Sequence, residues 1–300
     1  MNEIAIPVLH SAVAIMTPLL LAAMGGLFTE LSGMLNIALE GLMLTGAFTS
    51  IVFTFYSGNM VVGVLIGIVC TIALAALLGT VTLHLKSNVF ITGLATNLFA
   101  SGLTVVLSFR LFGNKGVVVF DQIGNLPRMQ IPFLQRIPII GDLFIGHHIL
   151  VYVSWILLLV VSWVLYRTPF GFRLRAAGLH ETTLVSLGMR PQRYRFIAFL
   201  ISGFTCGLAG AVLTLNLGAF VPNITSGKGW IALVVIFLGQ KKPLGLLLAA
   251  LVFGFADAFS NHAQGAWNIP ADFILAIPYI FTLLAMVAFS LYTSRKNRME

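Results

Sequence analysis

The chain has 300 residues, 59% hydrophobic and only 9% charged, with a mean hydropathy of +1.01 and a formal net charge of +8. A soluble domain carries about 25% charged residues, so there is too little polar surface here to cover a globule in water, and lipid is the solvent for most of the molecule. The excess of Lys and Arg sits in short connectors and at the C-terminus. That pattern orients membrane spans and sets aside a nucleic-acid footprint.

A span needs about 20 apolar residues. Apolar stretches fall at 5–28, 36–56, 61–83, 89–110, 148–166, 196–220, 229–239, 244–260 and 273–292, which predicts an all-α polytopic membrane protein of about 8–10 transmembrane helices. The opening MNEIAIP lacks the basic region of a signal peptide, so the first stretch reads as a retained span.

The second stretch begins GMLNIALEGLMLTGAF and carries Asn36 and Glu40 with no basic residue beside them. On a continuous helix the two share a face and offer amide and carboxylate to a cargo. Alternatively, Asn36 caps a half-helix and Glu40 sits in its first turn, where the dipole favours negative charge. A third reading is a pairing with a polar group from the other half of the chain. The three are compatible and stay open.

Asn97 lies near Thr92 and Thr96. A hydrogen bond to a neighbouring helix is the first reading and pathway lining the second. The connector 111–147 is long, rich in Pro and Gly, and apolar enough to be a functional loop. His147 and His148 adjoin and make a poor metal pair.

The segment 167–195 holds Arg167, Arg173, Arg175, Arg190, Arg193 and Arg195 and no Lys. Its centre, HETTLVSLGM, reads as a short helix ended by Gly188 and Pro191, suited to anionic lipid or to a soluble partner. The 229–239 stretch is too short to cross alone and follows the broken approach VPNITSGKG, so it reads as a discontinuous helix. Asn223, Thr225, Ser226 and Trp230 flank it; Trp230 suits either stacking on a planar cargo or interfacial anchoring. Asp257, His262 and Asp272 read as loop and interface residues rather than a proton relay. Cys70 and Cys206 read as buried thiols.

If each stretch crosses once, Lys86, the 167–195 arginines, Lys241, Lys242, Arg295, Lys296 and Arg298 share the cytoplasmic side. Arg110, Lys115, Arg128, Arg136 and Lys228 then lie outside, and the C-terminus is cytoplasmic. Nine crossings put the N-terminus outside, and one re-entrant segment reverses that. The stretches before and after 148–166 enter from opposite sides. The chain is therefore expected to be one transmembrane domain, 1–300, with inverted halves at about 5–110 and 196–292, an external loop 111–147 and a cytoplasmic loop 167–195. GxxxG spacings at Gly63/Gly67 and Gly203/Gly207 permit close helix packing. There is no P-loop, HETTL is not HExxH, and no convergent nucleophile, base or metal set supports an intramembrane enzyme.

Four stretches carry a family resemblance: GMLNIALEGLMLTGAF (33–48), ITGLATNLFASGL (91–103), TPFGFRLRAAGLHETTLVSLGM (168–189) and ITSGKGWIALVVIFLGQKKPLG (224–245). In order and content the chain resembles the permease subunits of bacterial binding-protein-dependent ABC importers, in the ribose, nucleoside and branched-chain amino acid group. It looks most like the shorter of two paired nucleoside permeases. The resemblance implies a multi-pass protein of the inner membrane that moves a nucleoside inward by alternating access; a simple sugar, riboflavin or a passive channel are the competing readings. It implies a second homologous permease, an ATPase subunit with P-loops that holds ATP and Mg, and an extracytoplasmic binding protein or lipoprotein, with no cofactor on this chain. Asn36, Glu40, Asn97, Asn223 and Trp230 are then candidates for the substrate pathway. Gly178, Glu181, Thr182 and Gly188 match the family's ATPase-coupling segment, although this chain has HETTLV where the family commonly has ENPxAA.

Overall fold

In a bilayer every backbone amide must be paired inside the chain, and the structure answers with helices almost throughout. The computed structural model describes residues 2–120, 123, 126–129, 145–266, 280 and 287. Much of the loop 111–147, Asp272, the stretch 273–292 apart from 280 and 287, and the basic C-terminus lie outside the described residues. The helices are α1 (Asn2–Leu31), α2 (Leu39–Ser57), α3 (Met60–Leu83), α4 (Val89–Phe112), α5 (Ile149–Arg167), α6 (Pro169–Leu179), α7 (Glu181–Ser186), α8 (Pro191–Leu217), α9 (Lys228–Leu238) and α10 (Pro243–Ala266). Among the described residues seven are long and apolar enough to cross a membrane, while α9 is a shorter apolar helix.

The core is built on α1, α2, α8 and α9, with α3 and α10 packed on its flanks. Close approach depends on small residues. A side chain at Gly207 would meet the Cα of Ile68 at 2.9 Å, and one at Gly203 the Cα of Ile72 at 2.9 Å, so α3 and α8 touch backbone to backbone. Gly63 and Gly67 face Ser50 and Thr54 of α2 in the same way. The outer flanks of α3, α4 and α5 expose Leu65, Val69, Leu98, Ile156 and Leu159, as lipid-facing surfaces do.

Two breaks organise the interior. α1 ends at the face that carries α6 and α7, where Gly33 (φ +82°) turns the chain. Residues 32–38 then climb back beside α8 as far as Ser202 before α2 begins. Ser202 lies about 16 Å along α8 from Pro191 at the usual helical rise. At the opposite face α8 ends at Gly218 (φ +65°). A two-stranded antiparallel ladder follows there, β1 (Val118–Val119) with β2 (Ala219–Phe220), in the register Val118↔Phe220 and Val119↔Ala219. The chain then descends through 221–227 and starts α9 deep in the bundle.

Several expectations change. Asn36 lies before α2, not within it, so Asn36 and Glu40 do not share a helix face. α8 starts at Pro191, and TPFGFRLRAAGL is itself helical as α6. Lys228 belongs to no surface connector; it is the first residue of α9. His147 stacks on His10, ring centroids 4.0 Å apart. His148 stands just before α5 and makes no capping bond from its side chain, and burial, then the neighbouring His147 and Arg128, lowers its pKa to about 4. Its ring is therefore neutral at ordinary pH.

Replacing Gly207 with Leu should destabilise the fold by about 1–3 kcal/mol through overpacking. Gly102→Leu, at a position with nothing within 4 Å, should not. Thermal unfolding of the two purified variants checks this; equal midpoints would show that the α3–α8 contact is not tight.

Candidate functional site

Where the two re-entrant segments end, α2 and α9 meet N-terminus to N-terminus. α9 has no side-chain cap of its own, since its N-cap is Gly227 at φ +80°. Glu40, in the first turn of α2, supplies one from across the bundle. Gly227 N donates to its Oε1 at 2.8 Å and Gly229 N to its Oε2 at 2.6 Å. A side chain at 229 would overlap the backbone of Glu40, so only glycine lets the helix ends come this close.

Magnitudes explain why the carboxylate is tolerated. A mid-membrane acid costs about 2.5–3.5 kcal/mol on insertion scales. Two hydrogen bonds to a charged acceptor contribute about 1.5–3 kcal/mol each, and a partly buried helix N-terminus adds up to about 2 kcal/mol. Stabilisation exceeds cost, and Glu40 sits here at 9% exposure.

Two asparagines hold the start of α2. Asn36 Oδ1 accepts from Ala38 N at 2.9 Å while its Nδ2 donates to Ser202 Oγ of α8 at 2.9 Å. Asn97 Oδ1, on α4, accepts from Gly41 N at 2.7 Å, and its Nδ2 donates to Ile37 O at 3.0 Å. Asn97 thus bonds α2, whereas Thr92 and Thr96 bond back to their own helix.

The approach to α9 is a chain of tight turns. Asn223 is exposed with φ +57°, and its carbonyl accepts from Ser226 N at 2.9 Å. Thr225 is fully buried, with its hydroxyl unpartnered among the described residues. Trp230 is 43% exposed on the first turn of α9. Lys228 points elsewhere: its ammonium lies 4.0 Å from Asp257 Oδ2 of α10, both groups partly exposed. A cation is unfavourable at a helix N-terminus, and the Asp257 carboxylate offsets it. Local pattern puts Lys228 outside and Asp257 among loop and interface residues; the descent of 221–227 brings the two together.

At the other end lies a second cluster. Arg195 donates from Nε to Ser32 O (3.1 Å) and from Nη2 to Ala177 O (3.1 Å) and Glu181 Oε2 (2.8 Å). It therefore ties α6 and α7 to the end of α1. A side chain at Gly178 would overlap Leu31 O, so α6 seats directly on the Gly33 turn. Glu181 faces Arg195, while Thr182 and Gly188 (φ +72°) are exposed. Around them stand Leu179, Val185 and Leu187, 57–75% exposed, an apolar patch that single-residue reading overlooked.

Comparison with known proteins assigns the chain to a family. The family described as branched-chain amino acid transport system / permease component matches residues 8–290. The chain belongs to this family. It is similar to the guanosine ABC transporter permease protein NupQ of Bacillus subtilis, 33% identical over 287 residues, covering 91% of this chain and 88% of the relative. It is similar to the nucleoside ABC transporter permease protein NupC of Lactococcus lactis, 31% identical over 285 residues, covering 91% and 89%. It is also similar to TsgC13 of Haloferax volcanii, provisionally named a glucose ABC transporter permease protein, 34% identical over 261 residues, covering 85% and 77%. The chain is thus a multi-pass transport subunit of an ABC system and not itself an enzyme.

Glu40→Ala leaves the Gly227 and Gly229 amides without their acceptors and should cost about 3–5 kcal/mol of stability. Glu40→Gln keeps one acceptor oxygen and should lose about half of that. Thermal unfolding of the permease measures both; an unchanged midpoint in Glu40→Ala would remove the cap from the account.

Proposed function

We propose that this chain carries a nucleoside across the bacterial cytoplasmic membrane into the cell, as one of two homologous permeases driven by a partner ATPase that holds ATP and its Mg²⁺. The observation that carries the reading is the junction of α2 and α9: two helix N-termini facing each other deep in the bundle, bridged by Glu40. Substrate sites of such transporters form where broken helices meet near the midplane. Trp230 offers a π-face for a planar base. Asn223 lies on the approach to that turn, while Asn36, Glu40 and Asn97 set its shape from behind. The names of NupQ and NupC favour a nucleoside as cargo. The name of TsgC13 favours a sugar as the second reading, and the ribose moiety is common to both chemistries.

The α6–α7 face is cytoplasmic in this reading, since Lys86, Arg173, Arg190, Arg193, Lys241 and Lys242 lie toward it. The direction of α1 then puts the N-terminus outside. The paired breaks α1–α2 and α8–α9, entered from opposite faces, support a reading with inverted halves at about 5–110 and 196–292. The patch of Leu179, Val185 and Leu187 beside Thr182 and Gly188 docks the ATPase. Gly178 and Glu181 act behind it by seating the helix pair on α1 and on Arg195. A binding protein or lipoprotein delivers cargo at the opposite face, beside the 111–147 loop.

Uptake of labelled nucleosides, ribose and riboflavin, with and without this gene in cells that keep its companion genes, tests the cargo. Loss confined to nucleosides is the expected result, and loss of ribose or riboflavin alone would retire the nucleoside. Leu187→Glu should weaken ATPase association by about thirtyfold or more, as loss of a buried interface anchor does, while leaving the spans folded. Co-purification at normal stoichiometry would retire the docking patch.

A further inference from the structure

The first turns of α8 carry arginines on two faces. Arg195 turns inward, with its guanidinium committed to Ser32, Ala177 and Glu181. Arg193, two residues earlier and so about 200° away round the helix, is exposed. Together with Arg190, it forms no ion pair among the described residues. These two arginines open onto a cleft of about 620 Å³ lined by His84, Arg190, Gln192, Arg193, Phe196 and Ile197.

The order of groups in that cleft is amphipathic along the membrane normal. His84 ends α3 and Arg190 immediately precedes α8, so the polar rim lies at the α6–α7 face. One to two turns deeper come Phe196 and Ile197, and the His84 and Phe196 rings meet edge to face at 6.2 Å. Ile197, 39% exposed, carries this apolar wall toward the bilayer. The arrangement is cationic at the rim and apolar toward the bilayer centre. α8 also begins here without a side-chain cap, so its positive end adds to the rim.

We propose that this cleft binds an anionic phospholipid of the inner leaflet, the phosphodiester held by Arg190 and Arg193 and an acyl chain laid along Phe196 and Ile197. Basic pockets between transmembrane helices on this side suit such headgroups, and guanidinium forks match phosphate oxygens. A soluble phosphate would satisfy the rim and leave the apolar wall facing lipid without use. A docked acidic protein surface would meet the same rim but would not need the apolar wall of Phe196 and Ile197 on its membrane side. The bound lipid would brace α3 against α8 beside the proposed docking helix, and the inference does not depend on which cargo is carried.

Native mass spectrometry of the intact importer, released from nanodiscs containing phosphatidylglycerol or phosphatidylcholine alone, tests this. The wild type should retain phosphatidylglycerol and not phosphatidylcholine, and excess inorganic phosphate should not displace it. R190Q/R193Q should weaken retention on the order of thirtyfold, the loss expected from two basic residues, and R190K/R193K should keep most of it, which shows that the cleft still folds. Equal retention of the two lipids, retention unaffected in R190Q/R193Q, or displacement by phosphate would each overturn the proposal. So would an R190Q/R193Q importer that sheds its ATPase while keeping its lipid, since the arginines would then serve the protein partner.

Discussion

A carboxylate shared between two helix ends is the constraint on which the interior depends. Two short re-entrant segments enter from opposite faces, and each delivers a helix whose first amides have no partner of their own in the apolar core. Glu40 belongs to one helix and caps the other. Neither break is stable alone: remove α9 and Glu40 is a naked acid in lipid, remove Glu40 and the amides of Gly227 and Gly229 are orphaned. The two breaks are therefore held as one unit, reinforced by Asn36 from before α2 and by Asn97 from α4.

The same logic of tight approach and charge-assisted bonding recurs at the face that carries α6 and α7. Arg195 gathers the end of α1, the end of α6 and the start of α7 around one guanidinium, and Gly33 and Gly178 let the backbones touch. From Ser32, which Arg195 holds, only seven residues of chain separate the loop helices from Leu39 at the start of α2. A displacement of α7 thus has a short covalent and hydrogen-bonded route to the Glu40 junction. In an importer driven from the cytoplasmic face, this links the proposed docking surface to the place where the two breaks meet.

The residues that fill the cluster near α9 divide by what they face. Trp230 and Asn223 are exposed, while Asn36 and Glu40 are enclosed and bonded. Lys228 and Asp257 form a loose pair beside them. Enclosed groups set the geometry of the site, and exposed ones are free to meet a solute. That division separates the framework role of the acid from the contact role proposed for the indole.

Much of this was legible in the order of residues. Apolar stretches of about 20 residues dictate spans because lipid leaves the backbone no other partner. A polar pair inside one stretch, and a Gly- and Pro-broken approach before another, mark the discontinuous helices. What the chain order does not contain is who answers whom. The partners of Glu40 lie 187 and 189 residues away, and those of Arg195 reach back 163 residues. Local pattern places Lys228 in a connector, and only the descent of the backbone after Gly218 carries it into the bundle. Sequence determines which segments must be helical and where a helix must break, since those follow from hydropathy and backbone chemistry. Tertiary structure alone decides which broken end caps which, because that depends on two re-entrant turns arriving at the same depth from opposite faces.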